Sequence, residues 1–248
     1  MKRWRLFFGA LVVALGVGAG TGLRAMTLQP MNLVSLLRNA EVIVIGDVQS
    51  VTDGIDGNGL PYTEVTLGIE ETLRGAPTET YTFRQFGLTS PRLTEDGTKM
   101  MLAAPEGIPR YAEGQRALFF FAPPAEMTGL QSTVGLGQGR FDLGPGRAEN
   151  DLANEGAFDN VVLNPALSTP NYDRILETRF GAVNGDDFLS LVRQAVQKHW
   201  VENCQMWDSE EGITCHGGRH HPMDPATPAP TVNPGATPTG AGHRVVIK

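Results

Sequence analysis

The stretch AEVIVIGDVQSVTDGIDGNGLPYTEVTLGIEETLRG, residues 40–75, has the pattern of a long β-hairpin. In its second arm, polar residues alternate with a mainly apolar set: Thr63, Val65, Leu67, Ile69 and Leu73. A period of two predicts a strand with one face on a core and the other in water. We therefore take this hairpin as the centre of the fold.

The first arm of the hairpin is apolar on both faces. Val42, Val44 and Val48 share one face, and Ile43 and Ile45 share the other. Apolar residues on both faces are typical of a strand that is buried between two layers. This pattern predicts packed layers above and below the first arm.

The connecting loop carries Asp53, Asp56, Asn58 and three glycines. Oxygen ligands on such a loop suggest calcium, but the spacing is not that of a calcium loop and the glutamate at its twelfth position is absent. Asp, Asn and Gly are also the residues that a wide hairpin turn requires. We predict a turn, with calcium as the alternative.

Further segments continue the β pattern. A third strand is predicted at Thr78–Phe86 and a fourth at Gly114–Phe121, where Pro123 and Pro124 end it. Two shorter strands, Leu130–Val134 and Gly139–Leu143, flank the glycines of GLGQG, which we interpret as a tight hairpin. Strands therefore dominate, and the prediction is a mainly β fold.

Helices and long connections fill the remaining chain. A short helix is predicted at Asn32–Arg38 with Asn32 as its cap, and a C-terminal helix is predicted to be capped by Asp186 or Asp187. Gly87–Arg110 is a long polar loop, which is either functional or mobile. Gly144–Phe180 has little periodicity and three prolines, so it predicts a surface connection.

Both ends differ from the centre. Met1–Ala25 has a basic start, an apolar run and small residues, which predicts a cleaved signal peptide; an uncleaved anchor over Leu6–Leu23 is the alternative. From Pro222 the chain is rich in Pro, Thr, Ala and Gly, which predicts a disordered tail to Lys248. The predicted domains are residues 1–25, 26–203, 204–221 and 222–248.

Charge limits the partners. The net charge is −7, and the leader carries four basic residues and no acid, so the remainder is more acidic still. Such a surface repels nucleic acid and anionic lipid. We expect no nucleic-acid partner, and no membrane contact once the leader is removed.

Four short motifs resemble a family of exported bacterial proteins of unknown function. They are AEVIVIGDV, YTEVTLGIEETLRG, GQRALFFF and GLGQGRF, within Leu33–Leu143. The resemblance implies a small Greek-key β-barrel, similar to the oligomer-binding (OB) type and to netrin-like modules such as the tissue inhibitors of metalloproteinases, with one C-terminal helix packed on it. Those inhibitors act through an N-terminal cysteine, which this chain lacks, so inhibition is not carried over.

A group of soft ligands follows the C-terminal helix: Cys204, Cys215, His216, His220 and His221. Sulfur and imidazole ligands grouped in this way could hold zinc or copper. In an oxidising compartment, however, an isolated pair of cysteines usually forms a disulfide. We predict a Cys204–Cys215 disulfide and no cofactor, with a metal site as the alternative.

No sequence motif of an enzyme is present: there is no HExxH, nucleophile elbow or phosphate loop. Two functions remain as hypotheses. The first is a secreted or periplasmic, non-catalytic module that binds a protein or glycan through the Gly87–Arg110 loop and neighbouring strands. The second is a metal-binding accessory protein that uses the Cys/His group.

Overall fold

The computed structural model describes residues 29–93, 99–100, 104 and 107–211. All of them belong to one compact unit. The predicted signal peptide and the predicted tail lie outside the described residues. No helix in the described ranges is long and apolar enough to cross a membrane.

Eleven strands and three α-helices form the described body. The strands are β1 Val42–Ile55, β2 Pro61–Arg74, β3 Thr80–Phe86, β4 Arg92–Leu93, β5 Lys99–Met100, β6 Arg116–Phe121, β7 Arg140–Gly144, β8 Arg147–Asn150, β9 Val161–Leu163, β10 Val183–Asn184 and β11 Met206–Asp208. The helices are α1 Leu33–Asn39, α2 Pro170–Leu176 and α3 Gly185–Gln197, and a 3₁₀ turn covers Leu136–Gly139. The prediction of a mainly β chain is confirmed.

Seven strands form one antiparallel sheet in the order β10-β8-β7-β6-β1-β2-β3. The predicted hairpin of β1 and β2 is its centre, and β6 pairs with the other edge of β1. Among the described strands, β10 and β3 are edges and do not pair with each other. The sheet formed by the described strands is therefore open, and it does not close into the predicted Greek-key barrel.

The sheet is nevertheless strongly curled. Two strands separate β3 from β6, which would place them about 14 Å apart in a flat sheet. Yet the ring centroids of Phe83 and Phe121 are 4.7 Å apart. Gln131 spans the open side, because its backbone N–H donates to Arg84 O at 2.7 Å and its side chain donates to Ala122 O at 2.7 Å.

A separate hydrophobic core covers each face of the sheet. Ile43 and Ile45 face a core shared with all three helices, which we call the helical core. Val44 and Val48 face a second core, which lies inside the curl of the sheet. The two faces of β1 are thus covered, as the apolar pattern on both sides predicts. This burial on both faces is confined to the first half of β1, and the neighbouring strand β6 shares it.

The alternation in β2 breaks near its end. Val65, Leu67 and Ile69 pack in the core inside the curl, but Leu73 packs in the helical core. The register of β1 and β2 shifts between Ile45 and Gly46 and again nearby, and an inserted residue reverses the faces of a strand. The prediction that Leu73 shares a face with Val65 is therefore wrong.

Asparagine caps begin both α1 and α3. Asn32 accepts a hydrogen bond from Ser35 N, as predicted for α1. At α3 the cap is Asn184, which accepts from Asp187 N, so the prediction of an aspartate cap is wrong. Asp186 and Asp187 occupy the first turn instead, where their charge favours the helix dipole. The C-terminal helix packs on the sheet, as predicted.

The stretch Gly144–Phe180 is more structured than its weak periodicity predicts. It contributes β8, β9 and α2, and it buries Ala157 and Phe158 in the helical core. These elements have three to seven residues, which is too short to show a period. The prediction of a simple surface connection is therefore wrong.

One pair of exposed charges across the sheet gives a testable pKa. Arg116 donates from Nε and Nη2 to the Glu70 carboxylate at 2.7 to 3.0 Å, and this bonding lowers the pKa of Glu70 against the opposing effect of burial. A lowered carboxyl pKa adds stability above the pKa of the unfolded chain, and that stability is lost as the pH falls through the folded pKa.

We therefore expect the Arg116→Gln variant to raise the pKa of Glu70 and to reduce the loss of stability in acid. Carboxyl carbon shifts in an NMR titration measure the pKa directly. Arg193→Gln is the control and should leave the pKa of Glu70 unchanged, because Arg193 pairs with the neighbouring Glu71. An unchanged pKa of Glu70 in Arg116→Gln would contradict the pairing.

Candidate functional site

The predicted Cys/His group falls mostly beyond the described part of the chain. Cys204 is half-buried and carries a free thiol, while Cys215, His216, His220 and His221 lie outside the described residues. Within the described ranges, no three His, Cys, Asp or Glu side chains group as metal ligands. The disulfide is not confirmed, and the zinc or copper site stays a prediction.

The outer half of the β1–β2 hairpin extends beyond its neighbour in the sheet. β6 pairs with β1 over Val42–Asp47, whereas β2 pairs with β1 as far as Ile55. On its far side β2 is accompanied by β3. The hairpin tip therefore projects from one end of the sheet, where it is available to contact another molecule.

The tip is a tight polar turn. The Asp56 carboxylate accepts hydrogen bonds from Asn58 N at 2.9 Å and Leu60 N at 2.8 Å, and Asp56 N donates to Leu60 O. One Asp56 carboxylate oxygen is thus occupied by backbone amides. The turn prediction is confirmed, and the Asp56 side chain stabilises the conformation of the turn.

A shallow cleft of about 280 Å³ lies between this turn and the chain at Met127. Its lining is mixed polar and apolar: Asp56, Asn58, Gly59, Leu60, Met127 and Thr128. Met127 is 97% exposed. A nearly bare thioether beside an open cleft gives a flexible apolar contact point.

Tyr62 is held between two neighbours next to the tip. It pairs across the strands with Gly54, and a Cβ on Gly54 would lie 2.7 Å from the Tyr62 hydroxyl oxygen. The Arg84 guanidinium lies 4.4 Å from the ring centroid and also pairs with Glu64 at 2.7 Å. The tyrosine ring is thus packed against the protein's own groups.

The Gly87–Arg110 loop joins the same end of the sheet. The Asp53 carboxylate accepts from Thr89 N at 2.8 Å and from the Thr89 hydroxyl at 2.5 Å. Beyond Thr89, the short strands β4 and β5 pair, and Leu93 is 62% exposed. We define the hairpin-tip surface as Ile55, Leu93, Met127 and the cleft.

A buried arginine anchors the other end of this loop. Arg140 is 4% exposed; it bonds to Asp151 and donates to Arg110 O at 2.5 Å. Its guanidinium also lies 5.3 Å from the centroid of the Tyr111 ring. Burial raises the pKa of Asp151 against the lowering effect of Arg140. Arg140 thus ties residues 110–111 to β7 and supports the loop.

The glycines of GLGQG form a 3₁₀ turn, where a hairpin was predicted. The buried side chain of Gln138 accepts from Met31 N at 2.7 Å and donates to Gln29 O at 3.1 Å. This turn therefore fastens the chain that precedes α1. Gly139 fits because a Cβ there would collide with the carbonyl oxygen of Val134.

Sequence reasoning did not identify Met127, Leu93 or Arg140 as residues of interest. Met127 lies in a polar turn without periodicity, so nothing local predicts its exposure. Arg140 follows a glycine cluster, and nothing in the local sequence predicts its pairing with Asp151. Only the cross-strand pairing of Gly54 with Tyr62 follows a recognisable rule, because aromatic residues often cover strand glycines.

No family model matches this chain, and no curated protein or solved structure matches it either.

Proposed function

We propose that this protein is an exported, non-catalytic interaction module and that its partner is another protein. The observation that carries the proposal is the hairpin-tip surface. There, Ile55 at the end of β1, Met127 across the cleft and Leu93 in β4 are exposed to solvent at 37%, 97% and 62%. Export is inferred from the signal-peptide pattern of residues 1–25.

The β1–β2 hairpin is suited to contact because its base is rigid and its tip is bare. The base is fixed by pairing on both sides and by two cores. A preorganised arm loses little conformational entropy on binding. Exposed methionine and branched apolar side chains then supply contact area that adapts to a protein surface.

The arrangement of Tyr62 favours a protein partner over a glycan. Glycan sites commonly present the free face of an aromatic ring to the sugar. Here the hydroxyl end of Tyr62 lies close to Gly54, and the Arg84 guanidinium lies 4.4 Å from the centroid of the ring. The aromatic residue closest to the tip is thus engaged within the protein, and the exposed contact groups are aliphatic.

The resemblance to exported proteins with OB-like domains supports the same proposal, because OB-type domains bind their ligands through a strand face and the loops beside it. The described sheet is open, but its curl and the bridging Gln131 give it a related form. Under this proposal the Gly87–Arg110 loop acts together with the hairpin tip.

The test is capture of partners from an envelope extract of the native host, followed by measurement with the purified partner. We expect the Ile55→Ser/Met127→Ser variant to weaken binding about tenfold or more, since central apolar anchors dominate protein interfaces. Gln194→Ser is the control, because Gln194 is exposed on α3 and lies outside the hairpin-tip surface.

Two results would contradict the proposal. One is a partner that binds the double variant as tightly as the wild type while circular dichroism shows both to be folded. The other is specific binding on a glycan array that this variant abolishes, which would move the partner class from protein to carbohydrate.

A further inference from the structure

Phe180 is an unusual aromatic residue in this fold. It is 70% exposed, whereas the other phenylalanines that the structure describes are buried or half-buried. Leu152 is also exposed, at 38%. Neither residue belongs to the hairpin-tip surface, so this pair poses a separate question.

Direct hydrogen bonds hold the two segments together. Gly181 N donates to Ala153 O at 2.6 Å, and these residues directly follow Phe180 and Leu152. Asn154 Nδ2 donates to Gly181 O at 2.9 Å and to Ala148 O at 3.1 Å. Phe180 and Leu152 therefore extend from two backbone segments that are hydrogen-bonded to each other.

The turn that presents Leu152 is fixed in an uncommon conformation. Ala153 and Asn154 have φ values of 51° and 60°, in the left-handed region that non-glycine residues rarely adopt. Asn154 is fully buried, and its Oδ1 accepts from Asn150 N at 2.9 Å. These bonds hold the turn in place, so the apolar pair is preorganised.

An acidic residue lies within three positions of each apolar residue in the chain. Glu155 follows in the same turn as Leu152, and Glu177 ends the helix that leads to Phe180; both are exposed. The neighbouring cation Arg179 is paired with Asp159 at 2.7 Å. We call Leu152, Phe180, Glu155 and Glu177 the Phe180 patch. Its charge complements a basic partner.

We infer that the Phe180 patch is a second docking surface, which binds a protein segment carrying an apolar anchor next to lysine or arginine. The apolar pair supplies the anchor contact, and the two glutamates select the flanking cation. The inference does not depend on the hairpin-tip surface. With both surfaces, one molecule would connect two partners.

The experiment uses random 12-residue peptides displayed on phage and selected on the immobilised full chain. We expect enriched peptides that place an apolar residue beside lysine or arginine. For a synthetic peptide of that consensus, Phe180→Ser should weaken binding about tenfold or more. Glu155→Gln/Glu177→Gln should weaken it severalfold and reduce its sensitivity to salt.

Two controls make the result specific. Phe180→Tyr keeps the ring and should keep binding, and Met127→Ser should leave binding unchanged because it changes the other surface. If Phe180→Ser does not fold, Leu152→Ser replaces it. Loss of peptide binding in Met127→Ser, with the Phe180 variants unaffected, would support the proposed function and overturn this inference.

Other results would also overturn the inference. These are the absence of enriched peptides, enrichment of acidic peptides, and binding that persists in both Phe180→Ser and Leu152→Ser. A further one is a wild type that sediments as a dimer and becomes monomeric in Phe180→Ser, because a second copy would then occupy the patch.

Discussion

Replacing Phe141 with alanine is expected to lower the free energy of unfolding by about 3–5 kcal/mol. Phe141 is fully buried in β7, and its ring centroid is 4.7 Å from that of Phe188 in α3 and 5.9 Å from that of Phe120 in β6. It thus joins the sheet to the C-terminal helix. Truncation removes the contacts on both sides and leaves a cavity.

Chemical denaturation of the full chain, monitored by circular dichroism, measures this decrease in the free energy of unfolding. The matched control is Phe180→Ala, which removes the same side chain from an exposed position and should change the stability by no more than about 0.5 kcal/mol. If the two variants had equal stability, the helical core could not be centred on Phe141.

Replacing Gly46 with alanine is expected to cost about 1–3 kcal/mol through overpacking. A Cβ on Gly46 would collide with the carbonyl oxygen of Gly68 on β2. Backbone at the centre of a sheet cannot move aside as a flexible side chain can. A register shift between β1 and β2 also lies beside Gly46.

The control for this second variant is Gly57→Ala at the hairpin tip. A Cβ at Gly57 would meet nothing within 4 Å, and its φ is not in the left-handed region. That substitution should leave the stability unchanged or raise it by about 0.4–1 kcal/mol. A tolerated Gly46→Ala, with an unchanged denaturation midpoint, would contradict the close strand approach.

How much of the fold was predictable depends on the length of each element. Long elements with a regular period were predicted correctly: the β1–β2 hairpin, the strand ending in Phe119, Phe120 and Phe121, and α3 with its apolar stripe. Short elements such as β8 and β9 were missed, because three or four residues cannot establish a period.

The candidate surfaces were hardly predictable at all. The Gly87–Arg110 loop was singled out for its length, and its link to the hairpin through Asp53 and Thr89 places it at the proposed site. Met127 and Phe180 carry no local signal, because exposure depends on what the rest of the chain covers. Their neighbours in space are distant in sequence.

The sequence by itself determined the mainly β class, the central hairpin with both faces of its first arm covered, and the asparagine cap of α1. Periodicity and capping act over a few residues, so they can be read from the chain. The tertiary structure alone decided that the sheet stays open, that Leu73 changes face and which apolar residues remain bare. Those outcomes follow from register shifts, twist and long-range packing, which no local pattern encodes.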